Sequence, residues 1–147
     1  MGVIEPFSKT IDVADDLEEL ARIAAELNTL WTTHGLPDDL EIPVSLALEE
    51  VLSNVLRHGR IEGHSSRIRV AFTIYPGSFE FEVSDAANPF NPLLMPDPEL
   101  DLPLEQRQPG GLGVFLVKRL ADELAYCRRD GRNHLRFKKS FPANTGE

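Results

Sequence analysis

The chain has 147 residues, of which 41% are hydrophobic and 27% charged, the balance of an ordinary globular protein, and the length suits a single domain over residues 1–147. Its 24 acids against 15 bases give a formal net charge of -9, which argues against direct nucleic-acid binding because that needs a basic face to neutralise phosphates. No stretch approaches the ~20 apolar residues that span a bilayer, no basic-then-apolar leader pattern opens the chain, and the single cysteine, Cys127, excludes an intrachain disulfide; these point to a cytoplasmic protein without a membrane partner.

Residues 3–11 read as a first strand, with Val3, Phe7 and Ile11 among polar residues. From Val13 to about His34 the pattern is helical, because Leu17, Leu20, Ala21, Ala24, Leu27, Leu30 and Trp31 recur at spacings of three and four. Trp31 is expected in the core. Gly35 and Pro37 end the helix. A second helix spans 39–59 and stops at Gly59. Ile68, Val70, Phe72 and Ile74 alternate along a strand from Arg67 to Tyr75, Pro76-Gly77 turns, and Phe79, Phe81 and Val83 carry the next strand. Residues 86–110 hold six of the eleven prolines and no periodicity, which suits a lid or binding loop. A third helix is expected from about Gly111 to Ala125. Asp130-Gly131 then turns a final hairpin, with Leu135, Phe137 and Phe141 on the last strand. The basic stretch Arg128, Arg129, Arg132, Arg136, Lys138, Lys139 reads as the solvated face of that hairpin. Cys127 reads as a buried strand residue. His34, His58, His64 and His134 lack metal-ligand spacing and read as surface or helix-end residues.

This order implies an α/β (α+β) two-layer sandwich: a mixed, mainly antiparallel sheet covered on one face by about three helices.

Three motifs carry chemistry. In the second helix, Val44, Leu48, Val51, Leu52 and Val55 form an apolar face that must pack on the sheet. Glu50 and Asn54, four residues apart, lie about 40° apart around the axis on a face that points nearly away from the apolar one. A carboxylate can take a proton from an attacking hydroxyl, and a carboxamide oxygen can ligate a hard ion such as Mg²⁺. Arg57 and His58 follow near the same edge. Asp85, at a strand's end, can accept a hydrogen bond from the exocyclic amine of adenine. Gly110-Gly111-Leu112-Gly113 opens the third helix, where glycines let backbone approach a ligand and free N–H groups hold phosphate. Arg107, just ahead of these glycines, can reach a terminal phosphate.

Taken in order, Glu50-x-x-x-Asn54, Asp85 after a strand, and a proline-rich lid ending in Gly111-x-Gly113 resemble the N, G1 and G2 boxes of the GHKL (gyrase and histidine-kinase type) ATPases. The sequence is similar to the small anti-sigma regulatory factors, the switch-protein serine kinases, both in LALEEVLSNVLRHG and in the segment from DPELDLPLEQRQPGGLG to RRDGRNHLRF. The resemblance covers residues 10–140 and implies a Bergerat-type ATP-binding fold with a lid over 86–110. It implies that Glu50 is the general base and that Asn54 ligates Mg²⁺. Asn54, His58, Asp85, Ala87, Arg107, Gly110, Gly111, Leu112 and Gly113 would contact ATP. The implied partners are an anti-anti-sigma protein of the STAS fold, carrying the phosphorylated serine or threonine, a sigma factor, and a second copy in a homodimer. One departure stands out: the G1 box, normally Asp-x-Gly-x-Gly, is Asp85-Ala86-Ala87-Asn88-Pro89 here. Its missing glycines motivate an alternative, a non-catalytic anti-sigma or STAS-binding switch with a degenerate nucleotide site. A sensor histidine kinase catalytic domain is the weaker third reading, since no helix with a phospho-accepting histidine precedes the first strand.

Overall fold

A computed structural model describes residues 6–58, 65–97 and 112–143. The elements in chain order are β1 (Phe7–Val13), α1 (Glu19–Thr33), α2 (Asp38–His58), β2 (Ile68–Tyr75), β3 (Ser78–Asp85), a short 3₁₀ turn (Pro92–Leu94), α3 (Leu112–Leu120), β4 (Glu123–Arg129) and β5 (Arg132–Ser140). The strands form one five-stranded sheet in the order β1-β2-β3-β5-β4, and every pairing is antiparallel. No helix among the described residues is long and apolar enough to cross a membrane.

The alternation read from the sequence decides which face of the sheet is covered. Ile68, Val70 and Phe72 on β2, Phe79, Phe81 and Val83 on β3, and Leu135 and Phe137 on β5 are all buried, and side chains two apart on a strand share a face. Register aligns them into rows across the sheet, Phe72 to Phe81 to Phe137 and Val70 to Val83 to Leu135. The Phe81 and Phe137 rings stack with centroids 4.6 Å apart. The helices close this face with α2 in the middle, packed against both α1 and α3. Val44, Ala47, Leu48, Val51 and Leu52 of α2 enter the core.

The first helix departs from its expected outline. Val13 belongs to β1, opposite Ile68, and Leu17 precedes α1 and is exposed. The buried stripe of α1 is Ile23, Leu27, Leu30 and Trp31; Ala21 and Ala24 face solvent. Ile23 completes the three-and-four spacing that Ala21 and Ala24 only imitate. Trp31 is core as expected: its indole N–H donates to Pro37 O at 2.7 Å, and its ring meets Phe79 edge-on at 5.2 Å.

The third helix stops earlier than its composition suggests. Leu120 is its last residue, and Asp122 then takes part in the sheet's edge, its N–H donating to Lys138 O while its carboxylate accepts from Ser140 N. Glu123, Leu124 and Ala125 therefore run as strand, paired with β5. The Asp130-Gly131 turn forms as expected, with φ of 53° and 73°, the left-handed pair that a two-residue hairpin requires.

The open face of the sheet corrects three expectations. Cys127 is exposed rather than buried, because it sits on edge strand β4 on the side away from the helices, beside His134. His134 is not a surface histidine: its side chain is 14% exposed and its Nδ1 lies 2.6 Å from Glu82 Oε1. The basic hairpin is likewise engaged rather than simply solvated. Lys138 pairs with Glu123 at 3.0 Å and Arg129 with Glu82 at 3.8 Å. Arg132 donates to Arg67 O and to Ser84 Oγ; burial, then the neighbouring Arg69 charge, pulls its pKa below the ordinary guanidinium value, though a guanidinium stays charged.

Phe81→Ala should cost about 3–5 kcal/mol in denaturant unfolding, because it empties the centre of the stacked row. Leu94→Ala, at a residue 80% exposed, should fall within about 0.5 kcal/mol of the parent. Equal losses would mean that the covered face is misassigned.

Candidate active site

A cleft opens where the covered face reaches the end of β3. α2 contributes Val51, Asn54 and Val55, β3 contributes Val83 and Asp85, and α3 contributes Val114 and Val117. Leu124 and Tyr126 of β4, Asn133 and Leu135 of β5, and Asn88, Phe90, Pro92 and Leu93 complete the wall. Counted with its open mouth, the cleft holds about 580 Å³ of space, and its lining is apolar with a few convergent polar groups.

Asp85 forms the polar end. It is 4% exposed. Its Oδ1 accepts from Ala87 N and from Asn133 Nδ2, both at 3.0 Å. Asn133 is 6% exposed. Its Nδ2 also donates to Asn88 O at 2.9 Å, and its Oδ1 accepts from Tyr126 Oη at 2.5 Å and Phe90 N at 3.2 Å. Arg128 Nη1 donates to Ala87 O at 2.8 Å. The loop after β3 is therefore held by side chains of β4 and β5. Asn91 Oδ1 accepts from Leu93 N at 2.9 Å and starts the 3₁₀ turn, and Lys118 of α3 reaches Asp97 Oδ1 at 3.3 Å.

The other end of the cleft lies at the start of α3. A Cβ built on Gly113 would sit 3.0 Å from Glu50 Cδ and would overlap Oε2. Glycine is therefore what lets the Glu50 carboxylate lie against the first turn of α3, where the helix dipole favours negative charge.

The structure thus brings Asn54 and Asp85 to one cleft, and Glu50 to Gly113, next to the lining residue Val114. The face carrying Glu50 and Asn54 does not point away from the apolar one. It turns sideways toward α3, so that Val51 and Val55 line the same cleft as Asn54. Arg57 does not join them; it lines a separate depression with Asp15, Asp16 and Leu56. Ala87 is 2% exposed and outside the lining. Its φ is not positive, since Arg67 and Asp130 are the only non-glycine residues with positive φ among the described residues, and its Cβ leaves the cleft clear. His58 and Leu112 are described only as the last residue of α2 and the first of α3. Arg107, Gly110 and Gly111 lie outside the described residues, as does the expected lid beyond Asp97; of its first part, Asn88, Phe90, Pro92 and Leu93 wall the cleft. Asn133 and Tyr126 were not singled out in the sequence. Their signal was slight: an asparagine after the Asp130-Gly131 turn, on a strand whose neighbours alternate.

Gly113→Ala should keep the fold, with stability within about 1 kcal/mol, because the group it meets is the end of a flexible side chain. A crystal structure of the variant should show Glu50 swung off α3. A carboxylate that stays in place would contradict the packing described.

Comparison with known proteins places this chain in a family. The model of the histidine kinase-like ATPase domain matches residues 13–139. The serine/threonine-protein kinase BtrW of Bordetella bronchiseptica is 30% identical over 96 residues, 65% of this chain and 68% of that protein. The serine-protein kinase RsbW of Oceanobacillus iheyensis is 26% identical over 101 residues, 66% of this chain but only 61% of that protein. Among solved structures, the RsbU and RsbW domains of Rv1364c from Mycobacterium tuberculosis superpose with a TM-score of 0.66 at 16% identity, covering 94% of this chain and 34% of that one. The mycobacterial sensor histidine kinase MprB gives 0.50 at 16% identity, covering 94% of this chain and all of that one; both likenesses concern the fold. With its two-layer sandwich, its matched span and its similarity to two serine kinases, the chain belongs to the histidine kinase-like (GHKL) ATPase family, on its RsbW-like branch.

Proposed function

We propose that this protein is an ATP-dependent serine/threonine protein kinase that phosphorylates an anti-anti-sigma partner of the STAS fold and also sequesters a sigma factor. The observation that carries the reading is the span of one cleft between two chemistries. Asp85, a buried acceptor, lies at one end; Asn54 lies on its wall and Glu50 beside its rim at the start of α3.

In this reading adenine takes the apolar end, between the valines of α2, β3 and α3, with its amino group toward Asp85. The phosphates then lie toward the N-terminus of α3, whose free N–H groups suit anions. Mg²⁺ suits Asn54. Among the described residues no group of three or more His, Cys, Asp or Glu side chains forms a cage, and an ion held largely by phosphates and water needs one or two protein oxygens. When bound, it neutralises charge on the phosphates. The serine or threonine hydroxyl of the partner attacks the γ-phosphorus, its proton passes to Glu50, the bond to the β–γ bridging oxygen breaks, and ADP leaves. Arg107, outside the described residues, is the basic group that the sequence adds. The strongly acidic chain thus relies on the ion, a helix end and one arginine at the phosphates. A homodimer and a cytoplasmic setting belong to the same reading.

The glycine-free loop after Asp85 is what favours the alternative, a switch that binds its partners without catalysis. The buried position of Ala87, off the cleft lining, supports nucleotide binding despite that loop.

Mg-ATP at 100 times its Kd should stabilise the protein by about 2.7 kcal/mol in thermal unfolding; no stabilisation at millimolar ATP would favour the non-catalytic switch. Glu50→Gln should keep that stabilisation while phosphoryl transfer to the partner falls roughly 10²–10⁴-fold. Transfer at the parent rate would remove Glu50 from the role of base.

A further inference from the structure

The amide of Asn133 has both donors and both acceptor positions engaged, the full capacity of such a side chain. Its orientation is fixed by two partners that cannot exchange roles. Phe90 N can only donate and Asn88 O can only accept. A donor, Nδ2, therefore always faces Asp85 Oδ1, where the Ala87 N–H also points. Asp85 Oδ2 accepts no hydrogen bond from any described residue, while Asp85 itself lines the cleft. The hydroxyl of Tyr126, also in the lining, seats the amide from the far side.

We propose that Asn133, seated by Tyr126, is a positioning residue that holds Asp85 with one oxygen committed and the other turned to the cleft, so that the site selects a nucleobase bearing an exocyclic amino group. This rests on the nucleotide-binding reading above. The same amide replaces the glycines missing from the loop. It ties Asn88 and Phe90 from β5, Arg128 ties Ala87 O, and residues 86–90 hold their course without any positive φ. A loop of this kind takes its shape from side chains of the neighbouring hairpin, which couples the turn at Asp130-Gly131 to base selection.

The test is titration of the full chain with Mg-ATP and with the Mg complex of purine riboside triphosphate, which lacks the amino group at C6. The parent protein should prefer ATP about ten-fold or more, the worth of one buried charge-assisted hydrogen bond. Asn133→Ala should bring the ratio close to one by weakening ATP about ten-fold, with the purine analogue changing less than about three-fold. Tyr126→Phe, which removes one hydroxyl and keeps the ring, should lose part of the preference and decides the matter if Asn133→Ala does not fold. Variants that weaken both nucleotides in proportion, leaving the ratio unchanged, or that bind ATP as the parent does, overturn the proposal. A parent chain that binds neither nucleotide overturns the nucleotide reading itself, and this inference with it.

Discussion

The seating of α2 on the sheet is the constraint from which the site follows. Val44, Ala47, Leu48, Val51 and Leu52 are buried almost completely, and burial of each of the valines and leucines among them is worth about 1.5–3 kcal/mol. A helix anchored on that many positions cannot rotate, so Glu50 and Asn54 have no choice of direction. They face α3 and the end of β3. A different phase of the apolar face, shifted by one residue, would turn both side chains by about 100° and disperse the site.

A second constraint acts at the opposite end of the cleft. Asp85 ends β3, and strand direction alone would leave its carboxylate free to choose among rotamers. Backbone N–H and the Asn133 amide remove that choice. The cleft is thus defined by a helix face at one end and by a hydrogen-bonded strand end at the other, with aliphatic side chains between.

The elements legible in the sequence are those in which burial and period agree. β2 and β3 alternate cleanly because one face is covered and one is open. The stripe of α2 is long enough to show its phase, and with it the pairing of Glu50 and Asn54. The sequence failed where local preference and tertiary pairing part. Asp122 to Ala125 would extend a helix by composition, but Asp122 bonds to β5 and the chain joins the sheet edge. Ala21 and Ala24 imitate a buried stripe, since alanine suits either face of a helix. Cys127 and His134 share one row of β4 and β5 on the open face; one is exposed at the edge and the other is sheltered by Glu82. Asn133 escaped notice because its importance lies in contacts with residues more than 40 positions away. No periodicity records such contacts.

The account stands on the claim that one nucleotide lies along this cleft, base at Asp85 and phosphates at the start of α3. A crystal structure with Mg²⁺ and a non-hydrolysable ATP analogue tests it directly. The expected result has the adenine amino group within hydrogen-bond reach of Asp85, Asn54 on the metal, and Glu50 facing the γ-phosphate. An analogue seated elsewhere, or one that leaves Asn54 and Glu50 away from its phosphates, would contradict it.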